Sequence, residues 1–319
     1  MNFGSNAASG LVFFKQIWNN RASMKRHIFL IVCMVIFCTG LPLEAEHVSF
    51  RITYNLNSIG TGDINTWINA TNSLWQDWNG RIGGQLSGEF LPIEYGPSYE
   101  FEMRIPIYKG FALNLAGTSL SSTSEGTVDF MDASGLQNES QRLYNQVRAI
   151  PVKIGFSLNM RMPFFPNLLV TAGGGRHIVF VRYNTEDRYD ASFFEGAQEF
   201  NYWYERSNQY RSEALGFYVT AGIEIQFLKF IALVAEFEKV WSEVDGFKGE
   251  YTYKDFYDSD ISGKSSLYYY ENSSFGLNDF YPVLAGHDKR PDDATLRNIR
   301  QGLLNFSGQS IRFGIRFIF

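Results

Sequence analysis

Ile311-Arg312-Phe313-Gly314-Ile315-Arg316-Phe317-Ile318-Phe319 are the last nine residues of the sequence. In an extended chain, successive side chains leave on opposite sides. Ile311, Phe313, Ile315, Phe317 and Phe319 therefore share one face, wholly apolar, while Ser310, Arg312, Gly314 and Arg316 share the other, small or cationic. Such a segment is a β-strand between two different media, and the question it poses is which medium each face meets.

The same alternation recurs upstream. Val48, Phe50, Ile52, Tyr54 and Leu56 oppose Ser49, Arg51, Thr53 and Asn55 in a first strand. A second is expected over about 97–108, and Lys109-Gly110 turns it into a third that begins at Phe111. A fourth covers about 146–161, with Ile150, Val152, Ile154 and Phe156 against Lys153, Gly155 and Ser157. Pro163 to Asn167 turn the chain into a fifth, about 168–183, whose run Gly173-Gly174-Gly175 predicts a bulge or kink and leaves its faces unassigned. The sixth, Leu215 to Phe227, and the seventh, from Ile231, are separated by a very short turn at Leu228-Lys229-Phe230. The terminal strand, about 303–319, makes eight. Each is long enough for a tilted membrane path of about 9–11 residues.

Connections after strands two, four and six are a few residues long, and those after one, three, five and seven are long and polar. That asymmetry fits an antiparallel meander with one end in the periplasm and the other outside. The reading is an all-β fold in one domain: an eight-stranded antiparallel up-and-down transmembrane β-barrel with long extracellular loops and a short amphipathic helix in the first loop.

Bulk properties agree. The 319 residues carry a formal net charge of -5, with no basic excess that would point to nucleic acid. Aromatic residues make up 17%, and 29 Phe and 18 Tyr suit a lipid face with interfacial girdles. Both cysteines, Cys33 and Cys38, fall in a segment expected to be removed. Met24-Lys25-Arg26 and the apolar run Ile28–Phe37 read as a signal peptide over 24–45, cleaved after Ala45. Residues 1–23 read as a leader or over-extended start, and 46–319 as the barrel.

A soluble barrel has the same period with the opposite sense, so the sense must be argued. The polar face is rich in Gly, Ser, Thr and Asn, which suits a crowded interior. Its charges nearly balance: Arg51, Arg104, Lys153, Arg161, Arg312 and Arg316 against Glu100, Glu102, Glu224, Glu236 and Glu238. Buried charges must be paired, and a lumen network of Arg–Glu bridges would meet that condition. Tyr108, Phe111, Phe164, Phe165, Phe227 and Phe230 gather at the short-turn end, as an interfacial belt requires. A secreted β-sandwich or lipocalin-like barrel would expose them to water.

With these residues in place, the chain resembles the small bacterial outer-membrane barrels of the OmpA, OmpX and OmpW type over about 46–319. The resemblance lies in architecture and in the C-terminal strand, and it departs in the longer loops. It implies bacterial outer-membrane localisation, contact with outer-membrane lipid and lipopolysaccharide, and reading of Phe313, Ile315, Phe317 and Phe319 by the barrel-assembly machinery. An eight-stranded interior is just wide enough to be filled by side chains, so the expectation is a plugged cylinder. The alternatives are an OmpW-like narrow channel for small or hydrophobic solutes and a lipid A-modifying enzyme.

Function then falls to the loops. Ile64, Trp67, Ile68, Thr71, Trp75 and Trp78 share one helical face behind Asp63, a candidate N-cap. The helix is expected to cap the barrel mouth or to lie in the outer-leaflet interface with its tryptophans as anchors. Trp67, Trp75, Trp78, Trp203 and Tyr204 are candidate contact residues for a surface-binding or adhesion role, and equally candidates for packing loops together. Asp255, Asp258 and Asp260 lack the spacing of a calcium loop, so no metal or cofactor is expected. His177 has no serine at neighbouring same-face positions and reads as a lumen hydrogen-bonding residue, not a catalytic one. A structural or binding protein is expected, and not an enzyme.

Overall fold

The computed structural model describes residues 48–195, 198–273 and 280–319. The expected leader and signal peptide lie outside the described residues. Among the described residues sixteen strands and one helix follow in order: β1 (Ser49–Ile59), α1 (Asp63–Ile82), β2 (Gly84–Glu89), β3 (Ser98–Tyr108), β4 (Phe111–Thr118), β5 (Leu120–Asp132), β6 (Gln137–Met162), β7 (Phe165–Glu195), β8 (Gln198–Leu228), β9 (Ile231–Trp241), β10 (Glu243–Val244), β11 (Lys248–Asp255), β12 (Asp260–Asn272), β13 (Tyr281–His287), β14 (Leu296–Gln301), β15 (Leu304–Asn305) and β16 (Gly308–Ile318).

Eight of them close a ring. β1 pairs with β3, β3 with β4, β4 with β6, β6 with β7, β7 with β8, β8 with β9, β9 with β16, and β16 returns to β1, every pair antiparallel. Closure leaves no free edge, the condition for a sheet to stand in hydrocarbon. The three short turns join β3 to β4, β6 to β7 and β8 to β9, and each carries a register shift.

The sense of the barrel is inverted relative to a water-soluble one. Phe50, Ile52, Tyr99, Phe101, Ile154, Leu215, Leu233 and Phe313 point outward and are exposed, whereas Arg51, Glu100, Glu102, Lys153, Arg312 and Arg316 are buried within. Water would reverse that distribution, because burying charge while exposing a continuous apolar wall costs free energy on both counts. The wall is a lipid surface. All six aromatics expected at the short-turn end are exposed there.

The glycine run does not hide a bulge. Gly173, Gly174 and Gly175 pair without a break with Ser157, Phe156 and Gly155 on one side and Thr220, Val219 and Tyr218 on the other. A Cβ on Gly155 would meet the Tyr218 hydroxyl, and one on Gly175 would meet the backbone of Ile154 and Gly155. Gly155 thus makes room for the Tyr218 hydroxyl inside the cylinder, and Gly175 lets the neighbouring backbone come close.

Much of the length of the long connections is strand, where the sequence reading expected irregular loop. β6, β7 and β8, of 26, 31 and 31 residues, run far past the membrane wall. β4 and then β5 pair along one edge of β6, and β9 and then β11 along one edge of β8. Pro151 falls at the step between β4 and β5, where that edge of β6 has no partner to miss its N–H. β2, β12, β13 and β14 extend the sheet further, and α1 packs against this head. Residues expected in loops, Tyr202 to Tyr204, Tyr251, Tyr253 and Tyr268 to Tyr270, are strand residues.

Within β6 and β7 the polarity of the two faces swaps. Below, Lys153 and His177 face inward while Ile154 and Ile178 face out; above, Leu143, Val147, Ala149, Val179, Val181 and Tyr183 are buried while Arg142, Arg148 and Arg182 are exposed. The crossover marks where hydrocarbon gives way to water. The molecule thus has two interiors: an ionic one inside the wall and an apolar one, with Ile64, Ile68, Phe130, Tyr210 and Phe247 among its members, inside the head.

Candidate functional site: a sealed lumen and an aromatic pocket beneath the helix

The interior of the wall holds five cations and five carboxylates in one connected network. Arg312 bridges Glu100, Glu236 and Glu238, the last at 3.0 Å. Lys153 joins Glu100 and Glu238, both at 2.6 Å, and lies 5.5 Å from the Tyr218 ring centre. Arg51 reaches Glu236 at 2.8 Å, contacts Glu102 and comes within 3.9 Å of Glu100. Arg316 and Arg104 share Glu224 at 2.9 and 2.8 Å, and Arg316 also reaches Glu102 at 3.2 Å. Strand register explains the arrangement: Arg51 stands opposite Glu102, and Arg312 opposite Glu236.

Arg161 is the exception among the eleven residues expected in this network. Its side chain is exposed and lines a cavity of about 350 Å³ at the short-turn mouth, with Arg104, Glu224 and Arg316 at its inner end. Its face was read correctly, but it lies a step beyond the layer where partners converge, and water solvates it there. Within the network lies a space of about 10 Å³, room for about one water. His177 lies just above, buried against Gly216, and neither ring nitrogen has a hydrogen-bond partner among the described residues. The hydrogen-bonding role expected of it is therefore absent.

The terminal strand sits between β9 and β1, with Phe313, Ile315 and Phe319 exposed on the wall and Phe317 partly covered.

The head contains a different kind of site. α1 keeps the expected apolar face, with Ile64, Ile68 and Trp75 buried in the head core, so that face is turned into the protein and not toward the bilayer interface. Its N-cap is Gly62, not Asp63. Asp63 takes both terminal nitrogens of Arg300 at 2.6 Å and the Leu303 N–H at 2.7 Å, tying the first turn of the helix to the segment before β15. Gly83, at φ 71°, ends the helix with its N–H on the Asn79 carbonyl.

Beneath the helix lies a pocket of about 400 Å³. Trp67, Trp75 and Trp78 line it from α1, Glu139 and Gln141 from β6, Asp187 and Tyr189 from β7, Tyr204 from β8 and Tyr281 from β13. The polar groups are chained together. Trp75 Nε1 donates to Gln141 Oε1 at 2.9 Å, Gln141 Nε2 donates to Asp187 Oδ1 at 2.9 Å, and the Tyr204 hydroxyl donates to Asp187 Oδ2 at 3.3 Å. The Tyr189 hydroxyl donates to Glu139 Oε2 at 2.7 Å. Tyr189 and Tyr204 stack 5.5 Å apart, and Tyr253 stacks on Tyr204 at 6.1 Å.

Burial pushes the Asp187 carboxyl up, against the pull of its Gln141 and Tyr204 hydrogen bonds and of Arg206. Burial also raises both phenols, Tyr204 further by the Asp187 charge and Tyr189 by its hydrogen bond to Glu139. Both phenols stay protonated as donors. The buried Trp78 Nε1–H has no acceptor among the described residues. Among the described residues no lysine, arginine or histidine lines the pocket.

Four of the five expected contact residues, Trp67, Trp75, Trp78 and Tyr204, meet here. The fifth, Trp203, follows Tyr204's alternation to the other side and lines a neighbouring cleft of about 680 Å³ with Asp129 and Asp190. Sequence reading missed Glu139, Gln141, Asp187 and Tyr189. Their odd-numbered spacing matches that of Leu143 and Val147 in β6 and of Val181 and Tyr183 in β7, a signal that was present once those strands are extended. Asp255 is engaged elsewhere, its carboxylate accepting the Tyr257 and Ser259 N–H groups of a turn.

The closed ring, the lipid-facing wall and the ion-filled lumen define an eight-stranded transmembrane β-barrel. No protein-family profile and no curated protein matches the sequence. Among solved structures, the chain is similar to the outer membrane protein OprG from Pseudomonas aeruginosa, with a TM-score of 0.37 and 8% identity over 86% of this chain and 96% of that one. It is also similar to the outer membrane protease OmpT from Escherichia coli, with a TM-score of 0.27 and 9% identity over 88% of this chain and 99% of that one.

Proposed function

We propose that the protein is a non-enzymatic surface-binding barrel of the bacterial outer membrane, its short turns in the periplasm and its head outside. The reading rests on the inverted barrel, on the strand asymmetry and on the terminal aromatic strand that the assembly machinery would engage. One observation carries the binding role: the lumen is filled by matched charge, whereas the head keeps an open pocket walled by indoles and phenols over two carboxylates.

That chemistry suits a cationic organic group, such as an alkylammonium. Indole and phenol faces attract cations, by about 0.5–2 kcal/mol per contact depending on desolvation. Asp187 and Glu139 add charge, and among the described residues no basic side chain lines the pocket, the Arg206 charge acting on Asp187 from outside the lining. The test is quenching of tryptophan fluorescence by benzyltrimethylammonium, with neutral oligosaccharides as the comparison. Saturable quenching by the cation that is weakened in Asp187→Asn supports the proposal; equal response to both ligand classes, or none, contradicts it. Planar-bilayer recordings address the channel alternative, and the filled lumen predicts no steady conductance.

A further inference from the structure

Just above the lipid-facing wall, on the outward side, four cations stand side by side. Register sets Arg148 of β6 opposite Arg182 of β7, Arg182 opposite Arg211 of β8, and Arg211 opposite Lys248 of β11. Adjacent strands lie about 4.8 Å apart, so the row spans about 14 Å. All four side chains are exposed, and none has an ion pair or hydrogen-bond partner among the described residues. Glu213 and Glu250 sit two residues away along β8 and β11, and neither makes an ion pair with the row.

Like charges directly opposite one another in a sheet are destabilising. Three such junctions in succession cost stability that the flanking Glu213 and Glu250, unpaired with the row, offset only in part, so a bound anion would stabilise them. Their height in the fold says which anion. The next outward row below is Ile150, Phe180 and Glu213, the first two exposed members of the apolar wall, and the next row above is Gln146, Asn184, Gln209 and Glu250. The row lies at the level where hydrocarbon ends and lipid headgroups begin. Behind it, Ala149, Val181, Tyr210 and Phe247 are packed in the head core, so the backbone that carries the cations is fixed.

We propose that Arg148, Arg182, Arg211 and Lys248 hold the phosphate groups of lipid in the leaflet at the head end of the barrel. Guanidinium forks suit phosphate oxygens, and a row of them matches a headgroup bearing more than one phosphate. The proposal rests on the membrane reading above.

The full chain, folded in a neutral detergent, is mixed with diphosphoryl lipid A and retained lipid is counted by native mass spectrometry. A parallel arm uses the same lipid stripped of phosphate, and another adds millimolar inorganic phosphate as competitor. The expected result is retention of the diphosphoryl lipid, weaker retention of the stripped one, and a loss of about tenfold or more in a variant with Arg148→Gln, Arg182→Gln, Arg211→Gln and Lys248→Gln. The double variant Arg182→Gln with Arg211→Gln gives an intermediate loss and serves if the fourfold one fails to fold. A control variant, Arg142→Gln with Arg188→Gln, removes arginines already paired with Glu125 and Asp190 and should retain lipid normally. Unchanged retention in the fourfold or double variant overturns the proposal, as does equal loss in the control. Full displacement by inorganic phosphate overturns the lipid assignment in favour of a free anion. Heat-dependent gel mobility of each variant reports the barrel separately, so a lost lipid site is distinguishable from a lost fold.

Discussion

Arg312 and Phe313 are adjacent in β16 and live in opposite media: the arginine is 1% exposed among three glutamates, and the phenylalanine is 49% exposed on the outer wall. One residue of chain separates an ionic interior from hydrocarbon. The fold depends on both halves of that relationship, because neither face would be tolerated in the other's place.

Arg312→Met should therefore cost about 3–5 kcal/mol, since it leaves Glu100, Glu236 and Glu238 short of a cation in a buried site. Phe313→Arg should cost about 2–4 kcal/mol by placing charge against lipid near mid-wall. Urea titration in lipid vesicles measures both. A cost below about 1 kcal/mol for either would mean that the face is in contact with water.

Much of this was legible in the sequence, and the boundary of what was legible has a physical cause. Eight wall strands could be found because Ile, Phe and Leu alternate on a lipid face while Gly, Arg and Glu fill the other. The head strands were missed because their alternation runs in the other sense. In β6, the apolar residues are Ile150, Val152 and Ile154 in the wall but Leu143, Val147 and Ala149 in the head, a switch from even to odd positions. A search for one continuous stripe ends at that switch and assigns the rest to loops. The charge network was readable because buried charge must balance, yet depth was not, and so Arg161 was included. Asp63 looked like an N-cap because its partner, Arg300, is distant in sequence and invisible to local rules.

That distant contact makes a prediction about the helix. Asp63→Ala removes the carboxylate that holds Arg300 and the Leu303 N–H, and should loosen α1 by about 1–3 kcal/mol. Hydrogen exchange should quicken over 63–82 while heat-dependent gel mobility, which reports the barrel, stays normal. Unchanged exchange would show that packing alone fixes the helix.

Glycine at the Tyr218 crossing is a steric requirement. Gly155→Val places a branched side chain against Tyr218 Oη and the Gly174 backbone, and should cost about 1–3 kcal/mol or more, because overpacking strains both strands. The check is unfolding in urea beside Gly80→Val, whose Cβ has open space around it and whose loss should be small. Equal effects would remove the steric account.

The raised Asp187 carboxyl gives the pocket a pH dependence. A raised acid stays protonated to a higher pH, so its negative charge is lost as pH falls through a midpoint above the ordinary aspartate value of about 3.9. Benzyltrimethylammonium binding should accordingly weaken on acidification, beginning at a higher pH than free aspartate would titrate. The same sign makes ionised Asp187 unfavourable to folding near neutral pH, so Asp187→Asn should leave stability unchanged or raise it while it weakens cation binding. A binding curve flat down to about pH 3.9 would exclude Asp187 as the charge that matters.

The inverted barrel itself is tested most directly by spin labels placed one at a time on β1 and β16. Cysteines replacing Ile52, Tyr54, Ile311 and Phe313 sample one face, and those replacing Thr53 and Ser310 sample the other. In lipid vesicles the first group should relax with dissolved oxygen and be shielded from an aqueous nickel chelate, while the second should be shielded from both. Nickel access at positions 53 and 310, with positions 311 and 313 closed to oxygen, would contradict the account and place the phenylalanines in a dry core.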